Sequence, residues 1–232
     1  MDLWSTRKAS LELLDSELKE QQDCIEHAFG LIDKGIDFFN NHAATDQYSR
    51  ICGLTLAKAK NYAHGAYGMI LDNVAQEAGA LMRPFLEYYE LLIYFSEDTN
   101  RVTEAIEDQL PSAGKRAQLI DSDLKGFREY LNQNASHSSY SHHSLRHLID
   151  TDSMSVKKNQ SYAPDVLFRN LGDLFVQLVL LGFQVAVSIS VKDFQVGASL
   201  SERAGRLRDH GGRLFELEAQ LEPEDDGKAP NQ

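Results

Sequence analysis

Residues 85–95 read FLEYYELLIYF, apolar or aromatic on every side apart from two carboxylates, Glu87 and Glu90. A helix with no polar face has to run through the middle of a fold. Such a helix needs a jacket of amphipathic neighbours, and the chain supplies them. Leu11, Leu14, Leu18, Ile25, Phe29, Ile32 and Ile36 recur at three- and four-residue steps with charges between them. That is the helical period, and it predicts a helix or helix pair over residues 5–40, with breaks at Gly30 and Gly35. Asn40, Asn41 and His42 end the pattern, and Thr45 or Asp46 is placed to cap the next helix.

Residues 46–96 read as one long helical tract. Its first part is rich in small residues, among them Gly53, Ala59, Ala63, Gly65, Ala66, Ala78 and Gly79. Glycine weakens a helix, so this many small residues points to helices in close approach. His64 and Gly65 belong to this packing pattern and not to a phosphate cradle. Pro84 removes the hydrogen bond to the carbonyl of Ala80 and predicts a kink there. A short helix is expected over residues 100–110, closed by Pro111, and another over 112–134. Residues 135–163, rich in Ser and His, are expected to hold a helix end, a short helix near Leu145 and Leu148, and a loop.

A second apolar run, residues 174–191, is long enough to test as a membrane span. Gln177 and Gln184 lie inside it, and Asp173 and Lys192 bound it. A central helix of a soluble core, over residues 165–191, is the better reading. Residues 201–221 follow as a charged amphipathic helix. Leu200, Leu207, Leu214 and Leu221 are spaced by sevens, but Ala204, Gly211 and Glu218 occupy the intervening positions. This favours a helix packed back on the body over a coiled-coil seam between copies.

The fold class expected is therefore all-α: an up-and-down bundle of about five to seven helices with a long kinked central helix. The organisation expected is a helical bundle domain over residues 1–192, an amphipathic helix over 193–221 and a disordered tail over 222–232.

The formal charge is −12, from 35 acidic and 23 basic residues. Such a balance repels phosphate backbones at long range and argues against binding of duplex DNA. Cys24 and Cys52 have no CxxC spacing and read as buried thiols of a reducing compartment. Residues 2–26 lack the apolar stretch of a secretory leader, so a cytoplasmic protein is expected.

Two places could carry chemistry. Arg83 and Glu87 stand four apart within the apolar tract, close enough to pair along one helix face. The pair fixes helix register on one reading and orients a site on the other. The second place is the histidine group His137, His142, His143 and His147, near Tyr130, Asn132, Asn134 and Tyr140. His143 and His147 have a spacing that can hold a metal on a helix, yet no HExxH or carboxylate pattern completes it. No metal and no cofactor are expected. There is no GxSxG elbow, no P-loop and no GxGxxG.

The stretch from Ile70 to Ala105, with its R-P-x-x-E run at residues 83–87, and the later FREYLNQNASHSS, with Tyr130, Asn132 and His137, resemble the HEPN-like helical domains. More narrowly, they are similar to the bacterial branch related to abortive-infection proteins. The resemblance covers residues 50–190 in outline. It implies a bundle of four or five helices, paired as a homodimer. It also implies metal-independent cleavage of RNA by an Arg and a His four to six residues apart, in a toxin or defence protein with a cognate antitoxin or other partner. The His moves protons and the Arg steadies phosphate charge. On this implication His137 and Asn132 form the site, supported by Arg83, Glu87, Arg128, Tyr130 and Ser136. The chain departs from the pattern, because Asn132 stands where Arg is expected and Arg128 lies too far from His137. Asparagine offers no charged fork. The departure weighs against ribonuclease activity and leaves open a non-catalytic helical module for dimerisation or protein interaction.

Overall fold

The computed structural model describes residues 3–133, 148–150, 153, 155–157 and 162–216. It is an all-α bundle. Helices α1 (Leu3–Ser16) and α2 (Lys19–His42) make the expected opening pair, and α2 runs through Gly30 and Gly35 without a break. Helix α3 (Gln47–Leu71) is followed by α4 (Ala75–Glu97). After a 3-10 turn at Thr99–Arg101 come three short helices: α5 (Val102–Ile106), α6 (Ala113–Leu119) and α7 (Lys125–Leu131). Two long helices close the described chain, α8 (Pro164–Ser190) and α9 (Phe194–Leu214). The core is a four-helix layer of α2, α3, α4 and α8. Helix α9 lies over α8 and α2, and α6 and α7 lie against α4.

The expected tract over residues 46–96 is two helices. Asn73 takes a left-handed backbone, with φ of 59°, and turns the chain so that α4 folds back along α3. No Gly or Pro marks this turn, which is why the sequence hides it. Helix α4 continues through Pro84. Ala80 is exposed, so water has access to the carbonyl that loses its donor. Small residues let the layers close. Ala59, Ala63, Ala66 and Ala78 are buried, and a Cβ on Gly65 would come within 2.8 Å of Leu81. Arg7 of α1 clamps the end of α3, donating to the Gly68 carbonyl at 2.8 Å and pairing with Asp72. Its charge complements the negative end of that helix.

Asp46 caps α3. Its Oδ2 accepts from the Ser49 N–H at 2.9 Å and the Ser49 hydroxyl at 2.6 Å, while Oδ1 meets Lys192 at 2.9 Å. Burial alone would raise its pKa, but the Ser49 and Lys192 bonds outweigh it and hold the carboxyl below its ordinary 3.8. A lowered folded pKa contributes stability that is present above the unfolded value and is lost as pH falls through the folded one. Asp46→Ala is therefore expected to cost about 1 kcal/mol at neutral pH, the usual size of a lost cap. In chemical denaturation the gap from wild type should close as pH drops below 3.8. A gap that stays constant would show that the carboxylate charge has no part in it.

Residues 112–134, expected as one helix, are divided. Asp121, with φ of 46°, ends α6, and α7 starts again at Lys125. The expected loop before α8 holds a two-residue antiparallel ladder, in which Ile149 pairs with Val156 and Asp150 with Ser155. The short helix near Leu145 and Leu148 lies almost wholly outside the described residues, as do His137, His142, His143 and His147.

Helix α8 is long and apolar enough to cross a membrane, and 67% of its most apolar window is buried inside the fold. Helix α9 begins at Phe194, earlier than residue 201, and runs through Gly211 and Gly212. Leu200, Ala204 and Gly211 are buried, and Leu207 and Leu214 pack on the core. The leucine spacing thus faces inward; Leu221 and the tail lie outside the described residues. The small residues that spoil a zipper are what let α9 approach α8. A Cβ on Gly197 would strike Ser190 and the Ala186 carbonyl, and a Cβ on Gly211 would enter the Phe175 ring. Phe175 is itself stacked on Phe215 at 5.2 Å.

Gly211→Val is expected to destabilise the protein by about 2 kcal/mol, because overfilling a close-packed contact forces ring and backbone to move. Gly212→Ala is the control. Nothing lies within 4 Å of its added Cβ, so helix propensity should make it neutral or slightly stabilising. Equal melting temperatures for the two variants would refute the close approach.

Candidate functional site

The site grows from the aromatic helix α4. Arg83, Glu87 and Glu90 follow one another at four- and three-residue steps and share one side of it. Arg83 and Glu87 do pair, at 3.4 Å, but both are part-exposed, at 38% and 31%. A pair of this kind in water contributes little. The buried carboxylate is Glu90, at 1% exposure. Its partners come from the next segments: the Ser122 hydroxyl donates to it at 2.6 Å, and Arg128 of α7 meets it at 3.3 Å. Ser122 also accepts the Leu124 N–H at 3.2 Å, which fixes the entry to α7. Glu90 thus pins α7 to α4.

Arg128 keeps one unmet demand, because its Nε is buried without a hydrogen-bond partner among the described residues. The same holds for the side-chain carbonyl of Asn132, one turn further on. There α7 widens into a looser turn over residues 132–133. Tyr130 points outward, 46% exposed, with its ring stacked parallel to Phe127 at 6.5 Å. On the neighbouring α6, Arg116 is buried, its Nη1 donates to the Pro111 carbonyl at 2.5 Å, and its Nε is also unpartnered among the described residues. Two arginines and an asparagine with unmet polar atoms therefore lie on α6 and on α7 with its extension, the two short helices packed against α4. Buried polar atoms are nearly always satisfied, so these unmet atoms, like the Ser10 and Tyr162 hydroxyls elsewhere, mark side chains for which packing is not the only demand.

Of the sequence-derived residues, Arg83, Glu87, Arg128, Tyr130 and Asn132 lie on α4 and on α7 with its extension, two elements in contact. Ser136 and His137 lie outside the described residues. Glu90, Ser122 and Arg116 were missed as site residues. Glu90 was visible as a charge in an apolar run, but its partners stand 32 and 38 positions away, beyond any local spacing rule.

The other buried polar group sits between α3, α4 and α8. Tyr48 donates to the Ser188 carbonyl at 3.0 Å, and Ser96 bonds Ser188 at 2.8 Å. Burial pushes the neighbouring Cys52 thiol up to about 12, which leaves it protonated and unreactive. This cluster ties α3, α4 and α8 together and fixes helix register. Among the described residues no group of His, Cys, Asp and Glu could hold a metal ion.

Scans of family models, of curated proteins and of solved structures give no match for this chain. They give no support to the resemblance to HEPN-like domains.

Proposed function

We propose that this chain is an RNA-directed helical bundle of the HEPN-like kind, a metal-independent ribonuclease-type toxin or defence component that works as a cytoplasmic homodimer. The observation that carries the reading is the face of α4 under α6 and α7. Arg116 of α6 and Arg128 and Asn132 of α7 and its extension keep unmet polar atoms on the two short helices packed on α4, and Asn132 stands a few residues before Ser136 and His137 in the chain. Guanidinium groups suit phosphate, and a histidine a few residues on suits proton transfer to and from the ribose and leaving oxygens. Glu90 holds Arg128 in position, and Arg83 and Glu87 continue the polar strip outward along α4.

Incubation of the purified chain with structured and single-stranded RNA in the presence of a chelator tests this. Cleavage that survives chelation is expected. RNA left intact under all conditions overturns the reading.

One observation favours a second reading, a non-catalytic dimerisation or partner-binding module. Arg128 is already neutralised by Glu90, and the edge formed by the end of α8 and the start of α9 leaves Val187, Val191 and Phe194 exposed, Phe194 at 75%. Light scattering is expected to give twice the chain mass if this edge pairs two copies. A strict monomer removes that support.

A further inference from the structure

Away from the α4 face, α2, the end of α8 and the first turns of α9 border an open, solvent-facing groove with a volume of about 320 Å³. Ile189, Val196 and Leu200 supply its apolar wall. Lys34 of α2 and Arg203 of α9 stand over it, with Gln195 and Ser199 as further polar groups. The lining contains no carboxylate. In a chain of charge −12 this is unusual, and three nearby acids have partners of their own. Asp33 pairs with Lys60, Glu202 pairs with Arg206, and Asp193 accepts from the N–H groups of Gln195 and Val196. The start of α9 is therefore already capped, and anion attraction rests on the two side-chain cations. Neither Lys34 nor Arg203 forms an ion pair among the described residues, whereas Lys8, Lys19 and Arg169 each pair with an acid one turn away on their own helix.

We infer that this groove binds a small amphipathic anion, with a carboxylate or phosphate head between Lys34 and Arg203 and a hydrocarbon body against Ile189, Val196 and Leu200. The volume lies at the low end for small-molecule sites, roughly 300–1,000 Å³, and suits a single medium-length chain. The two cations come from helices far apart in sequence, so the site exists only when α9 is seated on α2 and α8. It is independent of the RNA-directed reading.

NMR titration of the full chain with octanoate and octyl phosphate, below their micelle concentrations, tests the site. Octanol and octylammonium serve as neutral and cationic controls. Saturable binding of at least one anion is expected, with the backbone signals of Val196, Ser199 and Arg203 shifting. Lys34→Gln and Arg203→Gln should each weaken binding roughly tenfold, the effect of losing one charged hydrogen-bond partner. Val196→Trp should fill the groove and abolish binding, and Arg206→Gln should leave affinity unchanged. Circular dichroism confirms folding of each variant, and the two glutamine variants are exposed changes that carry the test alone if Val196→Trp does not fold. Octanol binding as tightly as octanoate, neither anion binding, or recruitment to anionic phospholipid vesicles without binding of the free anions would each overturn the assignment.

Discussion

Glu90→Ala is expected to lower folding stability by about 3 kcal/mol, near the low end for breaking a buried ion pair. Glu90 is 1% exposed, while the Arg128 side chain keeps 17%, so water can partly rehydrate the arginine left behind. The loss also strands the Ser122 hydroxyl, which donates to Glu90 at 2.6 Å and helps start α7. Glu90→Gln keeps an acceptor for Ser122 and should cost less. A paired variant, Glu90→Leu with Arg128→Met, should recover much of the loss, because apolar groups of similar volume replace a buried pair at little cost. Urea unfolding at neutral pH measures all of these. A Glu90→Ala loss below about 1 kcal/mol, the scale of an exposed pair, would mean that Glu90 does not hold α7 on α4.

His137→Ala is expected to reduce RNA cleavage by about 10²–10⁴-fold, the usual contribution of a positioned acid–base group. Asn132→Ala should have a smaller effect, since a neutral amide does less for phosphate charge than a guanidinium. The informative comparison is cleavage rate against melting temperature. A proton-transfer role predicts a lost rate with an unchanged melt. If His137→Ala cleaves as fast as wild type, another residue moves the proton and the RNA-directed site is misassigned. Glu90→Gln separates positioning from chemistry in the same assay, because it loosens Arg128 and leaves His137 intact.

Where periodicity carried the information, the sequence was legible. The apolar steps of α2, the run of α4 and the core of α8 each marked a helix, and the cap expected at Thr45 or Asp46 is Asp46. Turns made without Gly or Pro were not legible. Asn73 and Asp121 adopt left-handed backbones that other residues at those positions would resist, and neither signals this beyond its identity. The site followed the same division. Arg83 and Glu87 are joined by helical spacing and could be paired on sight, yet they lie near the surface. Glu90 carries the burial, and its ties to Ser122 and Arg128 depend on how α7 is laid across α4. Lys34 and Arg203 share a groove only through tertiary packing, so no reading of spacing would bring them together. The α9 residues were misleading in an instructive way. Ala204 and Gly211 are poor in a coiled coil, and the same smallness is what a tight antiparallel hairpin with α8 requires.

Phe215 is wholly buried and packs over Gly172 and the Phe175 ring, just past the end of α9. It acts as the latch of a roof. A version of this chain that ends just before that ring would uncover Gly172 and Phe175, and one that also lacks α9 would uncover Gly182 and Ala186 and leave a greasy furrow along α8. Such a fragment should self-associate and precipitate on concentration. Trimming for crystals, fusion or tagging therefore has a natural limit immediately beyond Phe215.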